Sequence, residues 1–201
     1  MARSARLIRH RVAFVMASSS PVSHLPPDRI LPELPKGVWF SGCGDPLETS
    51  ERAECDRYLR GLGIAGTTIA QASDWNDARA IANASDWSRE WWHRERASER
   101  ELLERATSKY STDSVLQRLT TLMEEGADLF HGPASVACAR AGIADPALAR
   151  SAAGAASHAL HQYGLVSLAD AGDEHAFAAK FRLFLAGRWP LSVNGVKFYI
   201  L

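Results

Sequence analysis

Glu90-x-x-His93 and Asp128-x-x-His131 repeat one spacing, a carboxylate three residues before an imidazole. On a helix that spacing puts both side chains on one face, the arrangement by which helical bundles bind di-metal centres. If the two runs fold back around Ser111, His93 lies 18 residues before the turn and His131 lies 20 after it. Antiparallel packing would then bring them level. A site built from Glu90, His93, Asp128 and His131, with Glu51 or Glu54 as further carboxylates, would take Fe, Mn or Zn. The protein would then be a metal-dependent helical-bundle enzyme, di-iron-like or mononuclear. The competing reading is four solvated side chains near helix ends.

A second group of imidazoles stands at His158 and His161, one helix face shared with Gln162, and at His175, which opens the following helical run. Three imidazoles can hold zinc or copper; such residues also serve simply as the polar side of a packed helix. Cys43, within Ser41-Gly42-Cys43-Gly44-Asp45-Pro46, is the candidate catalytic nucleophile. A thiol just before a helix start has a lowered pKa, and the free amides there attract anions. Asp45 opposes both uses, because its carboxylate occupies the amides and repels a thiolate.

Residues 30–64 resemble the opening of dual-specificity phosphatases: a Pro-containing lead, a Val-Trp-Phe stretch, and a helix ending in Gly-Leu-Gly-Ile. That family's chemistry needs a cysteine followed six residues later by arginine. Here Cys43, Cys55 and Cys138 are followed at that distance by Thr49, Gly61 and Ala144, so the activity is not carried over. There is no Gly-x-Ser-x-Gly, Walker loop or dinucleotide fingerprint.

The densest cluster of interface-type residues is Trp87, Arg89, Trp91, Trp92 and Arg94, since Trp and Arg most often dominate binding energies. They begin a run, residues 86–110, without Gly or Pro, and Asp86 is placed to cap one long helix. Between His93 and Glu101 only Ala97 is apolar, which predicts a middle with no buried face. A helix dry at both ends and wet between bridges packed regions or projects as an arm. The function that follows is a protein–protein interaction or regulatory module, binding another protein or a second copy of itself through this Trp-rich helix. At least one of Trp91 and Trp92 should nonetheless face the core, since neighbours on a helix point about 100° apart.

The 46% apolar content supports a folded protein with a sizeable core, and no apolar run is long enough to span a membrane. Residues 1–27 hold Arg3, Arg6, Arg9 and Arg11 and no acid, leaving 19 basic against 23 acidic residues beyond them. An acidic body argues against nucleic-acid binding. The basic start reads as a targeting leader, or as sequence upstream of a start at Met16. Three widely spaced cysteines support neither disulfides nor a zinc ribbon, so a cytoplasmic location is expected, with targeting by the Arg-rich leader as the alternative.

The expected organisation is a basic leader and Pro/Ser-rich extended arm over residues 1–35, then one mainly helical domain over 36–201. Val38, Trp39 and Phe40 read as a strand. Asp45 and Pro46 open a helix to about Leu62, and Ser73 or Asp74 starts a short one. A helix from Thr112 or Asp113 runs to about Phe130, and Pro133 begins another. Asp145-Pro146 opens an alanine-rich helix thin enough for a neighbour to approach closely. A last helix covers about 173–186. Asn194-Gly195 then predicts a hairpin with Val193 opposite Val196. Val196, Phe198 and Ile200 would face the helices, and Lys197, Tyr199 and Leu201 the other side. The class is mainly α, a helical bundle, with a small antiparallel β element including this hairpin.

Overall fold

Local capping signals account for most of the helix boundaries. The computed structural model describes residues 30–201 except Ala65 and Ser85, so all but the last six residues of the leader and arm expected over residues 1–35 lie outside the described part. Asp74 accepts from the amides of Asn76 and Asp77 to start α2 (Trp75–Ala82). Asp145 does the same for Ala147 and Leu148 at the head of α5 (Pro146–Ala169). Elsewhere the starts differ from those expected. α1 (Thr49–Gly61) begins three residues beyond Pro46, where the Glu51 carboxylate accepts from the Glu48 amide. α3 (Arg89–Lys109) is capped by Ser88 rather than Asp86, so Trp87 stands before the helix.

α4 (Thr112–Arg140) continues through Pro133, where two helices were expected. Proline removes one backbone bond and crowds the preceding turn, but the helix is held by its packing along α5. That packing is close: a Cβ on Gly126 would collide with Leu160, and Ala152, Ala156 and Ala159 are fully buried. α5 lies centrally, flanked by α4, α3 and α6 (Ala176–Leu185). From α3, Lys109 and Arg105 donate to the Ala169 carbonyl at 3.0 and 3.2 Å, satisfying the C-terminal end of α5.

The sheet holds β1 (Thr68–Gln71), β2 (Pro190–Asn194) and β3 (Lys197–Ile200) in the order β1-β3-β2. β2 and β3 form the hairpin, and β1 joins parallel to β3, so the small sheet is mixed. The turn lies one residue beyond the expected one, which moves the partner of Val193 by two residues, from Val196 to Phe198. Asn194 pairs with Lys197 and Val193 with Phe198, so Gly195 (φ +56°) and Val196 form the turn. Val196 is therefore exposed, while Phe198 and Ile200 are buried as expected. Leu201 is buried too, against expectation, because its backbone pairs in both directions with Trp189.

Val38, Trp39 and Phe40 are not a strand. Phe40 takes φ +60°, unusual for a bulky residue, and its ring is buried against Trp75 and Phe184, both at 6.2 Å. Burial of a large ring here outweighs β propensity. Nor is the described end of the arm extended: a 3-10 turn (Leu34–Lys36) forms, with Ile30 and Leu34 in the core. Trp39, Phe130 and Phe181 centre one core cluster and Tyr58, Phe177 and Phe198 the other. The protein is mainly α with a small β element.

Candidate functional site

The tryptophan-rich segment opens onto a cleft of about 290 Å³. Trp91 and Trp92 enter it from the first turn of α3, Trp87 from the residues just before, and Trp189 from the lead into β2. Ile81 of α2 and Leu191 of β2 complete the apolar lining, while α5 contributes the small residues Ser151 and Ala155. The cleft exists because α5 is thin there: alanine and serine leave room that larger side chains would fill.

Its aromatic rings differ in burial. Trp91 is inside, 9% exposed, while Trp87 and Trp92 keep 40% and 41% of their surface in solvent. These two pack edge to face, centroids 6.0 Å apart, and the Arg96 guanidinium lies 5.6 Å from the Trp92 ring centre. Arg89 and Arg94 are exposed beside them, Arg94 within 3.5 Å of Glu90. The backbone fixes Trp87: it bridges Asn194, and the Ser88 amide donates to the Val193 carbonyl at 2.6 Å. The arrangement gives a concave, mostly apolar cleft with an aromatic rim.

Beneath it the structure overturns the expectation of an unburied α3 middle. Glu95 (2% exposed) and Glu99 (9%) continue the inward stripe of Trp91, Leu102 and Ala106 at helical spacing. Each carboxylate is paired. Glu95 accepts from Lys180 Nζ at 2.7 Å and from the Tyr58 hydroxyl at 2.6 Å, and Tyr58 in turn accepts from Trp91 Nε1 at 2.6 Å. Burial and the Glu95 charge hold the Tyr58 phenol well above its ordinary pKa, so it stays a hydrogen-bond donor. Glu99 contacts His158 Nε2 and Gln162 Nε2, both at 2.8 Å, and Arg96 at 2.7 Å. Burial would raise the Glu99 carboxyl, but these partners outweigh it and bring its pKa down to about 2. α3 is thus docked along α5 and α6 by paired charges and is no projecting arm.

The residues proposed for a shared metal site are not gathered. Glu90, His93, Asp128 and His131 are all exposed, and α3 and α4 each pack along α5, meeting one another only briefly. Among the described residues no group of three or more His, Cys, Asp or Glu side chains is placed to hold a metal ion. Glu51 serves Arg188 instead, at 2.7 and 2.8 Å in a bidentate pair, and Glu54 pairs with Arg182 at 3.0 Å. In the histidine group, His158 and His161 stack at 6.4 Å, whereas His175 caps α6, its Nδ1 accepting from the Phe177 amide. Burial, and then the His158 charge, lower the His161 pKa.

Cys43 lies several residues before α1 and lines a separate cavity of about 280 Å³ with Phe40, Trp75 and Arg140. Its Sγ points at the carbonyls of Gly187 and Leu201, 3.4 and 3.7 Å away. Burial pushes its pKa up to about 12, despite the opposing charge of Arg188, the reverse of an activated thiolate. The geometry of Cys43 is that of a packed, hydrogen-bonding thiol.

Sequence reasoning missed the walls supplied from afar, Ile81, Ser151, Ala155, Trp189 and Leu191, because no local pattern marks them. It also missed Tyr58, Glu95, Glu99 and Lys180, although Trp91, Glu95, Glu99, Leu102 and Ala106 share one helix face. Among the described residues no helix is long and apolar enough to cross a membrane. Comparison of the chain with protein-family models, curated proteins and solved structures finds no match.

Proposed function

We propose that this protein is a helical protein-interaction module whose receptor is the tryptophan cleft, binding another protein or a second copy of itself. One observation carries the reading: Trp87 and Trp92 remain two-fifths exposed at the mouth of an apolar cleft. Leaving two such rings in water forgoes hydrophobic stabilisation, and a partner that covers them recovers it. Trp91 belongs to the same site as its floor, and Arg89 and Arg94 belong to its rim. The free thiols of Cys43, Cys55 and Cys138 suit a reducing compartment such as the cytoplasm.

Trp87→Ala and Trp92→Ala test the reading. Association, measured by light scattering for self-binding or by retention of a co-purified partner, should be lost. Folding stability should fall by no more than about 1 kcal/mol per site, as for partly exposed positions away from the core. A loss of roughly 3–5 kcal/mol, typical of a core aromatic, would assign the rings to the fold instead.

A further inference from the structure

We infer that His161 is a proton-operated switch on the rim of the tryptophan cleft: charging it draws the Glu99 carboxylate towards α5 and releases Arg96, and with it the Arg96–Trp92 contact. The switch works without a partner; its use in regulating binding rests on the reading of the cleft as a receptor.

Trp92, Arg96 and Glu99 lie on one face of α3 at i, i+4 and i+7. Arg96 joins the other two. Its guanidinium sits 5.6 Å from the Trp92 ring centre and donates to Glu99 Oε2 at 2.7 Å. Arg96 has no other ion pair among the described residues, so Glu99 decides where its side chain goes.

The same carboxylate is held from α5. Its Oε1 accepts from His158 Nε2 and from Gln162 Nε2, both at 2.8 Å. His161 completes the α5 side, its ring stacked 6.4 Å from that of His158. Two atoms of this cluster are buried without a partner, His161 Nδ1 and Gln162 Oε1. A proton on Nδ1 makes that atom a donor, and the acceptors the cluster offers it are Gln162 Oε1 and the Glu99 carboxylate. It also sets a second cation, besides Arg96, against one carboxylate, and a third when His158 is charged. Arg96, 53% exposed at its side chain, is the member that can leave for solvent.

The charges that bear on His161 are His158 on its own helix and Glu99 and Arg96 from α3; among the described residues no charged group of α4 or α6 does. His175, at the head of α6, faces Ser98 of α3 at 3.4 Å instead. Burial first, then His158 and Arg96, hold the His161 pKa below its ordinary 6.5, with Glu99 opposing them. Glu99 itself, down at about 2, stays ionised across that range. Above pH 6.5, therefore, His161 is neutral and Arg96 stays on Glu99. As the pH falls through the folded value, His161 charges and Arg96 is released.

The test uses the full chain with its six tryptophans replaced by 5-fluorotryptophan, followed by fluorine NMR. The Trp92 resonance is assigned by its loss in Trp92→Phe, and the pH is lowered from about 8 to about 5. That resonance should follow a one-proton curve with its midpoint below 6.5. His161→Gln should abolish the shift, and so should Arg96→Met at an exposed position. His158→Gln should raise the midpoint, because an opposing charge is removed. His93→Gln should leave the curve unchanged, as should His175→Asn, which keeps a cap on α6. A Trp92 resonance that does not titrate, or that titrates alike in His161→Gln and Arg96→Met, overturns the switch. So does a shift of all the resonances together with loss of helix, which marks unfolding. None of these outcomes bears on the cleft as a receptor, which Trp87→Ala and Trp92→Ala test separately.

Discussion

The indole N–H of Trp91 donates to the hydroxyl of Tyr58 at 2.6 Å, which ties the floor of the tryptophan cleft to the buried Glu95–Lys180 pair. The floor of the cleft is thus held by a hydrogen-bond chain that runs through the core cluster around Tyr58. Tyr58→Phe keeps the ring and deletes the link, leaving Trp91 Nε1 without its acceptor. Stability should fall by about 1–3 kcal/mol in urea unfolding, the cost of orphaning a buried polar group. Trp91 fluorescence should also shift as its ring loses its anchor.

Glu95 and Lys180 are 2% and 9% exposed at their side chains, so each is costly without the other. Lys180→Met should destabilise the protein by about 3–5 kcal/mol. Adding Glu95→Gln should recover part of that loss, because the second change removes the stranded charge. A double-mutant cycle measures the coupling; additivity of the two changes would show that the pair does not act as a unit.

Glu99 gives an acid-side prediction. Its folded pKa, about 2, lies below the ordinary 4.5, so the folded state favours the carboxylate. Its contribution is fully present above pH 4.5 and is lost as pH falls through the folded value. Between these limits wild type should lose stability faster than Glu99→Gln in acid titrations of the melting temperature. Parallel curves would show that Glu99 is not held ionised by His158, Gln162 and Arg96.

The hairpin separates two neighbouring valine and phenylalanine positions sharply. Phe198 is 1% exposed with its ring 5.4 Å from Tyr58, so Phe198→Ala should cost about 3–5 kcal/mol. Val196, 66% exposed in the turn, should tolerate alanine within about 0.5 kcal/mol. Gly195→Val should cost roughly 1–3 kcal/mol, since its φ of +56° strains a β-branched residue.

How far the sequence foretold this depends on how local each cause is. The caps at Asp74 and Asp145, the hairpin near Gly195 and the thin alanine helix are written in adjacent residues, and the structure contains them. The continuous α4 is not, because only its packing along α5 tells that Pro133 is tolerated. Glu95 and Glu99 misled for a related reason: charge argues for solvent until Lys180, Tyr58, Gln162 and His158 arrive from elsewhere in the chain. The same holds for the cleft. Trp87, Trp91 and Trp92 stood out as a patch, but the concavity they face is made by Ser151 and Ala155 on α5 and by Trp189 and Leu191 beside the sheet.

The most direct test of the cleft as a protein receptor is site-specific photo-crosslinking in the cell of origin. One crosslinker replaces exposed Trp92 and a control replaces Leu116, 52% exposed on α4. Position 92 should yield an adduct with one defined polypeptide, position 116 none, and Ala155→Trp should abolish the adduct by filling the cleft. Equal adducts from both positions, or an adduct at 92 that survives Ala155→Trp, would contradict the account.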